Sequence, residues 1–187
     1  MNTTSEHAIH TILVGQSGGP TAAINASLAG VVRAAHAHGL RVLGMRNGIQ
    51  GFLEGKVVDL TEALELTVSE PEVPNQAATN PCEKNLQLLR KTPSSWLGSC
   101  RFKLPDLETE LAATSEPMAT SPIYQQIDAQ LKKYQVDAVL YIGGNDSMDT
   151  TDKLSRYFAQ VDSAVRVVGV PKTIDNDLEG TDHTPGF

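Results

Sequence analysis

The chain has 187 residues, a formal charge of −7, 40% hydrophobic residues and 15 glycines. The length suits one ordinary domain with a real core, and the acidic balance argues against nucleic acid or an anionic membrane as partner. It leaves phosphate ligands open, because a local site can be positive on an acidic protein. No apolar run reaches membrane length, and Met1 to His10 is polar, so a cytoplasmic address is expected. Cys82 and Cys100 lack metal-ligand spacing and read as reduced thiols rather than a disulfide.

Ile9 to Val14 reads as a buried strand. Thr21 to His38 places Ile24, Leu28, Val31, Val32 and Ala35 on one helical face, and Gly39 stops it. Arg41 to Met45 is a second strand, and Asn47-Gly48 opens a turn. The β-α-β order favours a parallel sheet with right-handed crossovers. Glu54 to Ala119 carries six prolines and little sustained period. A short helix is expected at Glu83 to Lys91, and the rest reads as surface loops and short elements. Ser121-Pro122 is an N-cap and N1 pair for a helix through Ile123, Ile127, Leu131 and Tyr134. Then come a strand at Val136 to Ile142, a helix at Ser147 to Gln160 with Leu154, Tyr157 and Phe158 on its apolar face, and a strand at Val165 to Val170. The expected fold class is α/β, a three-layer α/β/α arrangement on a mostly parallel sheet.

Three of these strands stop in loops dense in Gly, Asp, Asn and Thr, as buried parallel strands do when they deliver chemistry at their C-terminal ends. Ser17-Gly18-Gly19 joins a strand to a helix, a geometry that binds phosphate through orphan amides and the helix dipole; a plain tight turn needs the same glycines. The loop is neither a Walker A sequence nor a dinucleotide-binding fingerprint, which disfavours a Rossmann-type binder. Gly143-Gly144-Asn145-Asp146-Ser147 repeats the geometry and adds a carboxylate, either a magnesium ligand or a helix cap. Asp149 and Asp152 read as a solvated face.

Pro171-Lys172-Thr173-Ile174-Asp175-Asn176-Asp177 is the most specific string. Phosphoryl transfer needs a cation for the equatorial oxygens, a carboxylate to take the proton of an attacking hydroxyl, and another near metal. An Asx-turn explains Asp175-Asn176-Asp177 but not Lys172. Arg101, in a Gly-Ser loop, is either a phosphate clamp or a surface arginine. His183 reads as a surface group and Trp96 as packing.

Together these strings, with Gly18-Gly19-Pro20-Thr21-Ala22-Ala23-Ile24-Asn25, Gly98-Ser99-Cys100-Arg101-Phe102 and Gly180-Thr181-Asp182-His183-Thr184-Pro185-Gly186-Phe187, resemble the phosphofructokinase family. They occur in family order and cover most of the chain outside Glu54 to Ser95. The resemblance implies a phosphoryl donor at Gly18, Gly19, Arg101, Gly144, Asn145, Asp146 and Ser147, and fructose 6-phosphate at Thr173, Ile174 and Asp175. It implies catalytic roles for Asp175 as base, Lys172 and Asp146, and Mg2+ at Asn145 or Asp146.

ATP-using members of the family usually have glycine at the positions of Asp146 and Lys172, whereas pyrophosphate users carry the aspartate and lysine. The resemblance therefore implies pyrophosphate as donor, with ATP as the alternative. The physics agrees: a carboxylate at 146 repels an ATP α-phosphate, and the lysine adds charge for a smaller donor. Arg46, near where ATP users place an adenine-stacking aromatic, points the same way.

Asn145 departs from the magnesium-binding aspartate of many members, and Ala22-Ala23 from their commoner Pro-Gly. The family also runs about as long again beyond Phe187. Residues 1–187 are thus expected to be a donor-binding domain ending before the sugar-phosphate half. By itself this chain is expected to be inactive, either a piece of an enzyme that oligomerises at full length or a non-catalytic fragment.

Overall fold

Every residue of β1 (Thr11–Gln16) is buried, the mark of a central strand covered on both faces. Ile12 and Val14 feed one core and Leu13 the other, as the two-residue period of a strand requires. The computed structural model describes residues 8–65, 81–106 and 121–187, with the backbone alone at 81 and 82. Strands β2 (Arg41–Met45), β3 (Val57–Asp59), β4 (Ala138–Gly143) and β5 (Arg166–Pro171) join β1 in the order β3-β2-β1-β4-β5. β1 pairs in parallel with β2 and β4, β4 pairs in parallel with β5, and β3 alone runs antiparallel. Gly15 lies level with Met45 and Tyr141. A Cβ there would come within 2.7 Å of the Tyr141 ring and 2.9 Å of Met45 Sδ, so this crossing of three strands admits only glycine.

Helices α1 (Ala22–Ala37), α3 (Leu60–Ala63) and α4 (Pro81–Lys91) cover one face; α2 (Gly48–Leu53), α5 (Pro122–Lys133) and α6 (Asn145–Gln160) cover the other. The expected three-layer α/β arrangement is therefore present. α1 buries Ile24, Leu28, Val32 and Ala35, the expected stripe. It ends where Gly39 turns left-handed (φ 68°) and Leu40 N–H donates to Ala35 O at 2.9 Å, a Schellman turn. α5 and α6 end in left-handed turns of the same kind on Gln135 and Asp162, with Val136 N–H reaching Leu131 O and Ser163 N–H reaching Phe158 O. Only the first of the three carried a glycine for the sequence to show.

Several expectations need correction. β1, β4 and β5 run further toward their C-terminal loops than their apolar runs, ending at Gln16, Gly143 and Pro171, because ladder pairing continues to Gln16–Ile142 and Gly143–Pro171; β2 ends at Met45, as expected. α6 begins at Asn145, two residues before Ser147. Asn47-Gly48 opens helix α2 rather than a bare turn. The surface reading of Glu54 to Ala119 missed β3 and α3 and the burial of Leu60, Leu64, Leu97 and Leu104. β3 has three residues, too few for a period, and forms because β2 offers it an edge. Asp59 then caps α3, accepting from Thr61 N–H at 3.0 Å and Glu62 N–H at 3.4 Å. Ser121 stands at the N-cap of α5, as expected, but its hydroxyl caps nothing and is buried without a partner. Residues 66–80 and 107–120 lie outside the described set, as does the Cys82 side chain; Cys100 is a buried free thiol. Among the described residues no helix is long and apolar enough to cross a membrane.

Leu28, fully buried in the α1 stripe, tests whether that helix seals the core. Leu28→Ala is expected to cost about 2–5 kcal/mol in urea unfolding. A loss well under 1 kcal/mol would mean that α1 packs loosely on the sheet.

Candidate functional site

The chain leaves β1 for β2 and β3, then crosses back over β1 to β4 and β5. The carboxyl ends of β1 and β4 therefore release loops in opposite directions, which opens a crevice at the switch point of the sheet. The loops after β1, β4 and β5, together with Cys100–Lys103, enclose a cavity of about 410 Å³.

A buried polar network builds this wall. Gln16 and Asn25 are fully buried. Gln16 Nε2 donates to Ile24 O at 3.1 Å and Asn25 Oδ1 at 3.0 Å. Its Oε1 accepts from Ser95 Oγ and Leu97 N–H, both at 2.9 Å. Asn25 accepts from Trp96 N–H and donates to Thr92 O, each at 2.9 Å. Buried amides so fully paired specify one arrangement, here the path of residues 92–98. Two further bonds dock the next stretch on the β1 loop: Ser17 Oγ donates to Cys100 O at 3.1 Å and Ser99 Oγ to Gly18 O at 2.7 Å. Gly18 itself has φ 77°, the left-handed region that glycine enters freely.

Two helices begin at the crevice. Neither α1, with N-cap Thr21, nor α6, with N-cap Gly144, has a side-chain cap. Thr21 Oγ1 and Ser147 Oγ are buried there without a partner. Open helix N-termini and unpaired hydroxyls together suit an anion. Lys172 is 5% exposed, and its ammonium donates to Gly19 O. Burial pushes its pKa below the usual lysine value, and the nearby Asp175 carboxylate opposes the shift. Arg101, Lys103 and Lys172 face Asp146 and Asp175 across the same cavity, so a local cationic excess sits on an acidic protein.

Eleven residues carry the sequence-predicted site: Gly18, Gly19, Arg101, the four from Gly144 to Ser147, and the four from Lys172 to Asp175. All of them line this one cavity. Asp146 is exposed on the first turn of α6 and pairs with Lys103 at 3.0 Å. Asp175 N–H donates to Thr173 Oγ1 at 3.0 Å, which fixes the turn while leaving the carboxylate exposed. Thr173 is pinned in turn, since its N–H donates to Pro185 O at 3.0 Å and its carbonyl accepts from Thr184 Oγ1 at 3.1 Å. The Asn145 amide donates to Asp177 at 3.1 Å, which lowers the Asp177 pKa; this joins the β4 and β5 loops.

Asp149 pairs with Lys153 and Asp152 with Arg156, both one helical turn apart. Asp177 and His183 are not in the cavity wall, and His183 packs on Phe187. Trp96 packs against the core, as expected, with the Arg46 guanidinium 5.8 Å above its ring. Sequence reasoning missed Gln16, Thr21, Lys103 and Lys153. Only Lys103 left a signal: it stands two residues after Arg101, on the same side of an extended segment.

The fold is thus a doubly wound α/β sheet with an anion-suited crevice at its switch point. The chain belongs to the phosphofructokinase family, whose model matches residues 11–187. It is 37% identical over 176 residues to a pyrophosphate–fructose 6-phosphate 1-phosphotransferase of Xanthomonas campestris pv. campestris, covering 94% of this chain and 35% of that protein. An ATP-dependent 6-phosphofructokinase of Glaesserella parasuis is 31% identical over 182 residues, covering 96% and 44%. The crystal structure of pyrophosphate-dependent phosphofructokinase from Nitrosospira multiformis matches with a TM-score of 0.71 at 34% identity, over 96% of this chain and 38% of that one. The chain thus spans between a third and a half of the length of these relatives.

Lys172 gives the site a pH dependence of definite sign. An anion is held by the ammonium form, and a lowered pKa loses that form at lower pH than an ordinary lysine would. Affinity for an anion such as pyrophosphate is therefore expected to fall as pH rises toward the ordinary lysine value, beginning below it. Lys172→Arg, charged throughout this range, is expected to lack that part of the fall. Calorimetric titration of both proteins isolates it, since the ligand's own protonation is common to the two. Identical profiles would show that Lys172 is not the titrating contact.

Proposed function

We propose that this chain forms the donor-binding portion of a pyrophosphate-dependent 6-phosphofructokinase. That enzyme moves a phosphoryl group reversibly from pyrophosphate to the 1-hydroxyl of fructose 6-phosphate. The observation that carries the reading is the joint presence of Asp146 and Lys172 in one crevice with two open helix N-termini. The name of the Xanthomonas relative supports it. On this reading Gly18, Gly19 and the Gly144–Ser147 turn cradle the donor with backbone N–H groups. Arg101 and Lys172 stabilise charge on the transferring group. Thr173, Ile174 and Asp175 meet the sugar, and Asp175 accepts the proton of its hydroxyl.

Mg2+ fits the residues present. It takes one or two carboxylates and completes its shell with phosphate and water, and the exposed Asp146 carboxylate beside the Asn145 carbonyl offers that pattern. Bound there, the ion would neutralise donor charge. The acceptor half, subunit association and a cytoplasmic address belong to the same proposal, by analogy with the longer relatives.

Donor choice is expected to follow the two charges. Asp146→Gly removes repulsion toward an α-phosphate without creating adenine contacts, so Mg-ATP should begin to bind weakly. Lys172→Gly should weaken Mg-pyrophosphate binding by roughly 10–100-fold, the worth of a charged hydrogen bond. Calorimetry with both donors on wild type and the two variants decides. A wild type that prefers Mg-ATP would overturn the pyrophosphate reading.

Asp175→Asn separates chemistry from binding. It should leave pyrophosphate affinity near wild type. In a protein of the relatives' length it should lower turnover by about 10²–10⁴-fold, as removal of a general base does. Undiminished turnover at saturating substrates would remove Asp175 from that role.

A further inference from the structure

Lys153 is a buried cation outside the cavity. It lies on α6 two helical turns after Asp146, so both project from the same side of the helix. Although only 7% exposed, its ammonium has three partners. It meets Asp149 Oδ2 at 2.7 Å on its own helix, Asp106 Oδ1 at 2.8 Å and Leu104 O at 3.2 Å. Two of the three belong to the segment that has just delivered Arg101 and Lys103 to the crevice. Leu104 packs into the core beneath, and Tyr124 Oη donates to Pro105 O at 2.9 Å. Lys153 adds the polar tie to α6, whose first turn forms the facing wall.

A buried ammonium is a poor choice for stability alone, since desolvation offsets much of its attraction to carboxylates and an apolar side chain of similar size often serves as well. What a lysine supplies here is geometry, three donors that fix a carbonyl and two carboxylates at set directions. We infer that Lys153 is a positioning residue: it clamps the 101–106 segment to α6 and so sets the distance of Arg101 and Lys103 from the N-terminal turn that receives the donor. The inference rests on the donor reading of that crevice for its consequence, though not for the clamp itself.

The experiment uses the chain with Cys82→Ser, which leaves Cys100 as its one cysteine. Cys100 immediately precedes Arg101 and the clamped segment and is buried. Lys153→Met is expected to raise the pyrophosphate Kd, measured by calorimetry, about tenfold, the loss that follows from one misplaced charged hydrogen bond. It should also raise the rate at which a thiol reagent modifies Cys100 by a similar factor. Lys153→Arg should restore most of both.

Val32→Ala, a cavity in the core on the other side of the sheet, is the control for general loosening. It should lower Tm while leaving Kd and Cys100 reactivity near wild type. Asp106→Asn, at an exposed partner, should give a smaller shift in the same direction as Lys153→Met, and reads the clamp even if Lys153→Met fails to fold. The inference is overturned if the Lys153 and Asp106 variants only lower Tm, as Val32→Ala does, with Kd and Cys100 reactivity unchanged. If wild type binds no pyrophosphate, the donor reading fails while the thiol rate still decides whether the clamp exists.

Discussion

A carboxamide with no exposed surface closes the C-terminal end of β1. Gln16 holds four hydrogen bonds, two to the start of α1 and two to the Ser95–Leu97 turn. It thereby joins the end of β1 and the start of α1 to a turn 79 to 81 residues further along the chain, at the point where the sheet changes direction. An unpaired buried amide costs about 1–3 kcal/mol, so the three segments must arrive together or the network is worse than an apolar plug. The crevice depends on this requirement. The Ser95–Leu97 turn leads directly into Ser99, Cys100 and Arg101, and the start of α1 leads back to Thr21 and the glycine loop.

Charge is arranged above that scaffold with little redundancy. The protein as a whole is acidic, yet the cavity wall carries three cations against two carboxylates. Two of these cations sit on the segment between the Gln16 network and the Lys153 contacts, held at both ends. The third, Lys172, is held by the β5 loop and a hydrogen bond to Gly19 O. The backbone that carries the anion-facing groups is therefore tied by hydrogen bonds on both sides of the crevice.

Much of this was legible from sequence because parallel strands end abruptly. An apolar run followed by Gly, Asp and Asn marks both a buried strand and a functional loop, and three such endings mark one sheet edge. The glycine loops, Asp146 and the Lys172–Asp175 turn could be read that way, and Asn145, Asp146 and Lys172 line one cavity because β4 and β5 are neighbours in register. What failed to show were contacts that exist only in three dimensions. Gln16 reads as the polar residue that ends a strand, although it is buried. Lys153 reads as one charge among several on a solvated helix face, because nothing local announces that Leu104 and Asp106 come to rest on it. β3 and α3 are too short for a period and owe their existence to the edge of β2 and the Asp59 cap.

Asp146 shows how one side chain can serve selection and binding at once on the proposed reading. It stands in the first turn of α6, where the helix dipole favours a carboxylate by a few tenths to about 1 kcal/mol. It also meets Lys103 across the crevice mouth at 3.0 Å, with both side chains largely exposed. An exposed pair of this kind contributes at most about 1 kcal/mol, so it stores little free energy and separates easily. On that reading Asp146 would hold the metal of a metal–phosphate ligand and Lys103 its phosphate, the metal supplying positive charge in place of the lysine. The number of opposite-charge contacts would rise while neither group is left bare. A third phosphate placed at Asp146 has no such exchange available. It meets an anion whose counter-ions are already engaged, and the repulsion that results is the physical content of donor selection.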